Sequence, residues 1–455
     1  MLFHSAGFLL VFLPLFLLLA HFMPAGKSKA WLLLVFSYLF YSGAEPAFIF
    51  LLLFSSLTDY FVALRLSAST MKNRRIAWLL VSICVNLGFL GFFKYGGWIS
   101  ATLGLGYADF FQGYVLPPGI SFYTFQSMAY TIDVYRGKTR PETSMLSFCN
   151  YIAYLPQLIA GPIERFNHLA PQLDRFRAGT SKPQWTAGID RILLGIFQKL
   201  VLADGCGNIV DRLVQVNATD FFSAWAIGTG FGLQIYFDFA AYTHMAIGIS
   251  LLLGVRLNEN FLAPYQAPSI QEFWRRWHVT LSSWFRDYLY IPLGGSQKGL
   301  PRTFFNVFLT FTLCGLWHGA GFNFLLWGFL HGGMLCLYNY KQSLLPSVRL
   351  PAFLAIAVTY LAVAIAWVPF RLSGWQDIWP VWQGMFGING FAERQVSIAD
   401  MAILFLVSLA CMVLPHAARR WPGASGWQES CFLAVLAIFA IINSPAITQF
   451  IYFQF

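Results

Sequence analysis

Gly315-Leu316-Trp317-His318-Gly319-Ala320-Gly321 interrupts two apolar runs, residues 303–316 before it and 322–337 after it. Each run has roughly 15 residues, which at 1.5 Å per residue makes a helix of about 22 Å, shorter than the ~30 Å hydrocarbon core of a bilayer. A helix ending in Gly-Ala-Gly therefore predicts His318 below the membrane surface. An ionisable side chain at that depth is costly and is tolerated where it faces a cavity or pathway. A histidine hydrogen-bonded between helices fits the same pattern, and the pattern alone leaves both roles open.

Outward from this stretch, the composition calls for a membrane setting. The 455 residues are 58% hydrophobic and 11% charged, with a mean hydropathy of +0.60, which predicts an all-α polytopic membrane protein rather than a string of soluble domains. The net charge is +10, but the cations fall in short clusters between apolar runs. They read as topology signals and form no single basic face for nucleic acid. The seven cysteines include no C-x-x-C pair, are odd in number and mostly lie in apolar segments. Neither a disulfide framework nor a metal site follows.

Residues 2–23 form an apolar run followed, not preceded, by Lys27 and Lys29. That is the reverse of a secretory signal, so the run is expected to be a retained first span with its N-terminus outside. Runs 30–40 and 46–64 flank a turn at 41–46, and the loop after them carries Arg65, Lys72, Arg74 and Arg75. This hairpin keeps both basic loops on the cytoplasmic side. Span 76–93 follows, and the chain breaks at 116–120 before an aromatic run ending at Tyr135. Basic residues flank the apolar run 145–160 on both sides, so it is expected to be re-entrant or to lie along the cytoplasmic face. Runs 192–203, 221–239 and 245–255 are expected as spans or halves of spans. Runs 351–370, 398–414 and 432–453 follow, the last interrupted at Asn443-Ser444-Pro445. Roughly ten to twelve crossings result. No hydrophilic stretch is long enough for a soluble domain, so the chain reads as one membrane-embedded domain, 1–455, whose chemistry is done in the membrane body or with a separate partner.

The polar stretch 271–290 maps onto an amphipathic helix. Trp274, Trp277, Leu281, Trp284, Phe285 and Tyr288 share one face, while Arg275, Arg276, Ser283, Arg286 and Asp287 share the other. His278 falls on the apolar face and points inward, as a second buried histidine or as a core histidine bonded to a backbone carbonyl. The Gly-rich loop 291–302 with Lys298 and Arg302 does not match a phosphate-binding loop. It is expected to be a cytoplasmic turn or a cationic rim near an anionic acyl donor. Asp238 and His244 lie six residues apart in an apolar setting, about 240° round a continuous helix, so they would pair only across a break. No nucleophile elbow and no H-E-x-x-H helix is present, which removes the common soluble hydrolase and metalloprotease readings.

Three motifs in order resemble the membrane-bound O-acyltransferase family: residues 272–284 (Glu-Phe-Trp-Arg-Arg-Trp-His-Val-Thr-Leu-Ser-Ser-Trp), 288–295 (Tyr-Leu-Tyr-Ile-Pro-Leu-Gly-Gly) and 315–320 (Gly-Leu-Trp-His-Gly-Ala). Residues 156–163 and 234–239 are similar to its bacterial alginate O-acetylation branch, and the likeness spans about 117–370. The resemblance implies a multi-helix body with re-entrant and amphipathic helices enclosing a tunnel, the family histidine at His318 and an upstream partner at His278. Trp274, Trp277 and Trp317 are then expected to line the tunnel, with Asp238 and Arg275 as further substrate-binding candidates. It further implies an acyl donor such as acetyl-CoA or another cytoplasmic thioester, no bound cofactor or metal, and a polymer acceptor outside the inner membrane of a bacterium. One departure stands out: Tyr242-Thr243-His244-Met245-Ala246 replaces the branch's usual Tyr-Ser-Asp-Met-Ala, which puts in doubt any role carried to His244.

Acyl transfer to a hydroxyl needs a base, which a neutral imidazole supplies near pH 7. This assigns His318 as base or acyl relay and His278 as an orienting or oxyanion-stabilising neighbour. The expected acceptor pathway is O-acetylation of an exopolysaccharide, through a separate extracytoplasmic acetyltransferase and the polysaccharide synthesis and export machinery. D-alanyl transfer to teichoic acid and peptidoglycan O-acetylation keep the family and change the cargo or acceptor. A transporter for a polysaccharide or lipid-linked precursor, with the histidines as proton relays, is the alternative from another class.

Overall fold

A computed structural model describes residues 2–43, 45–345, 347, 350–391, 394–414, 427–443, 448, 450 and 451. Every regular element among them is helical. Among the described residues five helices are long and apolar enough to cross a membrane: Phe48–Ala68, Lys72–Leu103, Trp185–Gln215, Phe221–Leu252 and Ala352–Arg371. Shorter apolar helices cover Phe8–Phe22, Ile398–Val413 and Ser430–Ile441. The remaining apolar runs among the ten to twelve expected crossings lie in shorter or charge-bearing helices. The break expected at Asn443-Ser444-Pro445 lies largely outside the described residues.

Sequence periodicity and helix boundaries part company at four places. The runs 221–239 and 245–255 are one 32-residue helix, Phe221–Leu252, so no break separates Asp238 from His244. That helix is apolar all round and buried along its length, as such helices are. The run 192–203 is the middle of the longer helical stretch Trp185–Gln215. The helices on either side of Gly319–Gly321 outrun their apolar cores, covering Gly299–His318 and Phe322–Leu344 with 20 and 23 residues. At about 30 and 35 Å they match the bilayer, so helix length does not argue for the depth of His318. Finally, 271–290 is not one helix. Ile270–Arg276 and Val279–Phe285 are separate seven-residue helices, and a wide turn, Arg286–Tyr290, follows.

The chain groups into two compact units. The first comprises Met1–Ile196, Tyr242–Asn258 and Gly423–Ala437. In it Phe48–Ala68, Lys72–Leu90 and Ile120–Tyr135 pack on one another, and Met145–Ile152 packs on Lys27–Ser42 and Phe166–Arg177. Met145–Ile152 has eight residues, about 12 Å of helix, too short to cross a bilayer. The turns that follow it, through Ala160, are buried.

The second unit comprises Phe197–Ala241, Glu259–Pro422 and Ile438–Phe455. Its centre is the hairpin of Gly299–His318 and Phe322–Leu344, against which Ala352–Arg371 and Ile270–Arg276 pack. Glycine sets the hairpin's closeness: a Cβ on Gly315 would land on the Phe324 carbonyl oxygen, and one on Gly328 on the Phe311 carbonyl oxygen. Without a hydrophobic drive between helices in lipid, such close backbone approach is a main source of association. Asn323 Nδ2 donates to the Pro369 carbonyl at 3.0 Å and ties the start of the second hairpin helix to the end of Ala352–Arg371.

Candidate active site

His318 is the last residue of its helix and is 4% exposed. Its ring is enclosed by Trp317 at 4.9 Å, Trp327 at 5.0 Å and Phe370 at 5.2 Å between centroids. The sequence explains the enclosure: Gly319 and Gly321 let the chain turn within three residues, so Phe324 and Trp327 on the returning helix face the end of the first.

His278 is fully buried and sits where the expected amphipathic helix breaks, with φ +43° in the left-handed region. A non-glycine residue in that conformation is uncommon and is held by its surroundings. Here Asn260 does the holding. Its carbonyl accepts from the Val279 N–H at 2.9 Å, and its Oδ1 accepts from Thr280 Oγ1 at 2.6 Å. The kink turns the imidazole against Phe239 at 4.6 Å and to within 6.3 Å of the Trp317 ring. Both histidines therefore touch the same tryptophan. The apolar face read from the sequence survives the break, because Trp274, Trp277, Leu281, Trp284 and Phe285 are all buried while Arg275 and Arg286 are exposed. Trp277 packs on Phe261 at 5.1 Å and Trp367 at 5.0 Å.

A cavity of about 770 Å³ opens beside this cluster. Arg275, Arg286, Ser283 and Ser296 supply its polar lining, Trp274, Leu281, Phe285 and Phe311 its walls. Cys314, one helical turn before His318, also lines it. Trp274 and Arg275 are in the lining, whereas His318, His278, Trp277 and Trp317 are not among the lining residues. The Gly-rich loop 291–302 borders the cavity through Ser296 and Gly299. Asn306 Nδ2 anchors it by donating to the Gly295 carbonyl at 2.9 Å, and Gly294 at φ +108° takes a turn that a side chain would strain.

A family model for the membrane-bound O-acyltransferases matches residues 77–368. The chain belongs to this family. It is 38% identical to the "Probable alginate O-acetylase AlgI" of Pseudomonas aeruginosa, over 91% of this chain and 80% of that one. It is 32% identical to a "Peptidoglycan O-acetyltransferase" of Helicobacter pylori, over 99% of this chain and 91% of that one. Similarity to a "Teichoic acid D-alanyltransferase" of Bacillus subtilis is weaker, 27% over 55% of this chain. The protein is a multi-pass membrane O-acyltransferase.

Two further polar residues of this O-acyltransferase have buried partners of their own. Asp238 pairs with Lys199, whose Nζ is 2.7 Å from Asp238 Oδ1 and 2.8 Å from Asp204 Oδ1. Asp238 Oδ2 accepts the Ile451 N–H at 2.7 Å. This buried carboxylate ties Lys199 to the Ile451 backbone. In the first unit, His244 Nδ1 lies 2.6 Å from Arg191 Nη1, so the residue that departs from the family pattern has an arginine neighbour. Reading the sequence missed His331, which is fully buried on Phe322–Leu344 and contacts Trp327 at 4.7 Å and Trp274 at 5.1 Å. The signal was present: like His318, it is a histidine in an apolar run directly followed by glycine.

Proposed function

We propose that this O-acyltransferase takes an acetyl group from a cytoplasmic thioester, acetyl-CoA in the simplest case, and moves it across the bacterial inner membrane for O-acetylation of an exopolysaccharide. The observation that carries the reading is a large cavity lined by Arg275, Arg286 and Cys314, the last of these one helical turn before His318. Two guanidinium groups suit the phosphates of a coenzyme A donor, and the apolar walls suit an acyl chain and its linker.

In the proposed step a hydroxyl on the onward carrier of the acetyl group, not on the polymer itself, attacks the thioester carbonyl carbon while His318 removes the hydroxyl proton. The C–O bond forms, the C–S bond breaks, and the departing thiolate takes the proton back from the imidazolium. His278 orients the acceptor or stabilises the developing oxyanion. Trp317 packs on both histidines and Trp277 on Phe261 and Trp367, while Asp238 acts through structure rather than by contact. The N-terminus lies outside, and the basic loops near Lys27 and Lys72 face the cytoplasm.

A long polymer does not thread readily to an imidazole enclosed by Trp317, Trp327 and Phe370. An acetyl group does. The acetyl group is therefore passed to a separate extracytoplasmic acetyltransferase that works with the polysaccharide synthesis and export machinery. The purified protein in vesicles, given acetyl-CoA and polymer, tests this: efficient polymer acetylation with no second protein would overturn the hand-off. The full-length likeness to the Helicobacter pylori protein favours peptidoglycan as the second acceptor to examine. Measuring ester-linked acetate on surface polysaccharide and on peptidoglycan in a deletion strain decides between them. Loss of neither would sink O-acetylation altogether.

A further inference from the structure

Trp274 forms part of the cavity wall and also touches two rings that are not among the cavity's lining residues, Trp327 at 5.7 Å and His331 at 5.1 Å. Trp327 and His331 are 4.7 Å apart and both are fully buried. Trp327 in turn stands edge-on to His318 at 5.0 Å. The Nε1 atoms of Trp274 and Trp327 and both ring nitrogens of His331 are buried, and no described residue offers any of them a hydrogen bond.

Buried polar atoms are paired in the great majority of cases, so four unpaired ring nitrogens on three mutually contacting side chains require an explanation. Their chemistry limits the answer. An indole nitrogen only donates, and a neutral imidazole donates through one of its two nitrogens. The group that satisfies the two indole N–H groups and the imidazole N–H is therefore a hydrogen-bond acceptor, small enough to fit among rings and arriving from the cavity side, where Trp274 forms part of the wall. An acyl thioester entering that cavity carries one such atom at its reacting end, the carbonyl oxygen.

We propose that Trp274, Trp327 and His331 form the binding site for the carbonyl oxygen of the acyl group as it is transferred beside His318. The proposal rests on the reading of His318 as the transfer residue. N–H donors held rigidly in a dry site stabilise the charge that grows on this oxygen when the carbonyl carbon is attacked. Trp327, which touches both His318 and His331, sets the carbonyl next to the base.

His331→Phe separates this role from simple packing. Phenylalanine keeps a ring in place and removes both nitrogens, and replacing unpaired polar atoms by apolar ones of like shape leaves stability equal or improved. Assayed with labelled acetyl-CoA in membranes containing the whole acetylation system, the variant is expected to lose about 10²-fold in kcat, the usual effect of removing one oxyanion donor. Its KM for acetyl-CoA should change little and its melting temperature should not fall. His331→Gln, which restores an N–H, should recover part of the loss. Wild-type kcat in folded His331→Phe would overturn the proposal, and should that variant fail to accumulate, wild-type kcat in Trp327→Phe does the same. If His318→Ala is inactive while His331→Phe is fully active, only the carbonyl site is wrong. If His318→Ala is active, the reading beneath it fails.

Discussion

Around Glu164 in the first unit, which is fully buried, each carboxylate oxygen has a partner: Oε1 accepts the Asn258 backbone N–H at 2.6 Å, while Oε2 accepts from the Asn258 amide at 2.8 Å and lies 2.6 Å from His168 Nδ1. Around His331 in the second unit, which is just as buried, the polar atoms meet aromatic rings and no described hydrogen-bond partner. A satisfied buried charge holds segments together, here joining residues 164, 168 and 258, and needs nothing else. An unsatisfied cluster beside a cavity is costly to the free protein and becomes favourable only when something binds. The difference separates polar groups that build the fold from those set aside for substrate.

The sharpest break of this comparison is at His318. His318→Ala should cut polymer acylation by at least about 10²-fold, as expected for loss of a general base, while the amount of protein in the membrane stays near wild type. Quantifying ester-linked acetate together with immunoblotted protein checks this. Retention of more than roughly a tenth of wild-type acylation removes His318 from the mechanism. Glu164→Leu should do the opposite. It removes the acceptor that Asn258 and His168 share, so the protein should melt earlier in detergent while the kcat of the folded fraction stays within about twofold. A normal melting temperature would show that the Glu164 cluster is not a fastening.

Arg275 lies between these extremes, exposed at the cavity and 3.5 Å from Glu272. Arg275→Gln should raise KM for an anionic thioester by about threefold at low salt and by less as salt screens the rim, with kcat unchanged. An unaltered KM at every ionic strength would mean that the donor does not enter by this cavity.

The helical membrane body, the buried pair His318 and His278 and the exposed Arg275 were legible because they rest on local pattern: apolar runs, glycine beside histidine, and a 3.6-residue period over 271–290. The break at His278 was not, since it depends on Asn260, a residue eighteen positions upstream that captures Val279 and Thr280. Periodicity reports which face is buried and says nothing of a distant side chain that competes for the backbone. The same limit hid Lys199 as the partner of Asp238. The single helix Phe221–Leu252 reads in the sequence as two apolar runs, yet within it Asp238 finds Lys199 and His244 finds Arg191 as buried partners. The role of His331 was illegible for a simpler reason: an unpaired nitrogen becomes visible only when its neighbours are in place.

The finest test of the comparison is pH, and it concerns His168, half-exposed in the polar stretch 164–182 and outside the membrane-spanning helices. The hydrogen bond to the buried Glu164 carboxylate raises its pKa above the ordinary 6.5, because the protonated ring is the better partner for an anion. The folded value exceeds the unfolded one, so the stabilisation is fully present below about pH 6.5 and is lost as pH rises through the folded value. Melting temperature should therefore drift down between about pH 6 and pH 8, and His168→Ala should melt lower at the acid end with a flatter slope. Because one partner is half in water, screening keeps the difference between the two slopes on the order of 1–2 °C. Parallel slopes for wild type and variant would show that the Glu164 cluster is held by Asn258 alone, and that His168 is a bystander to it.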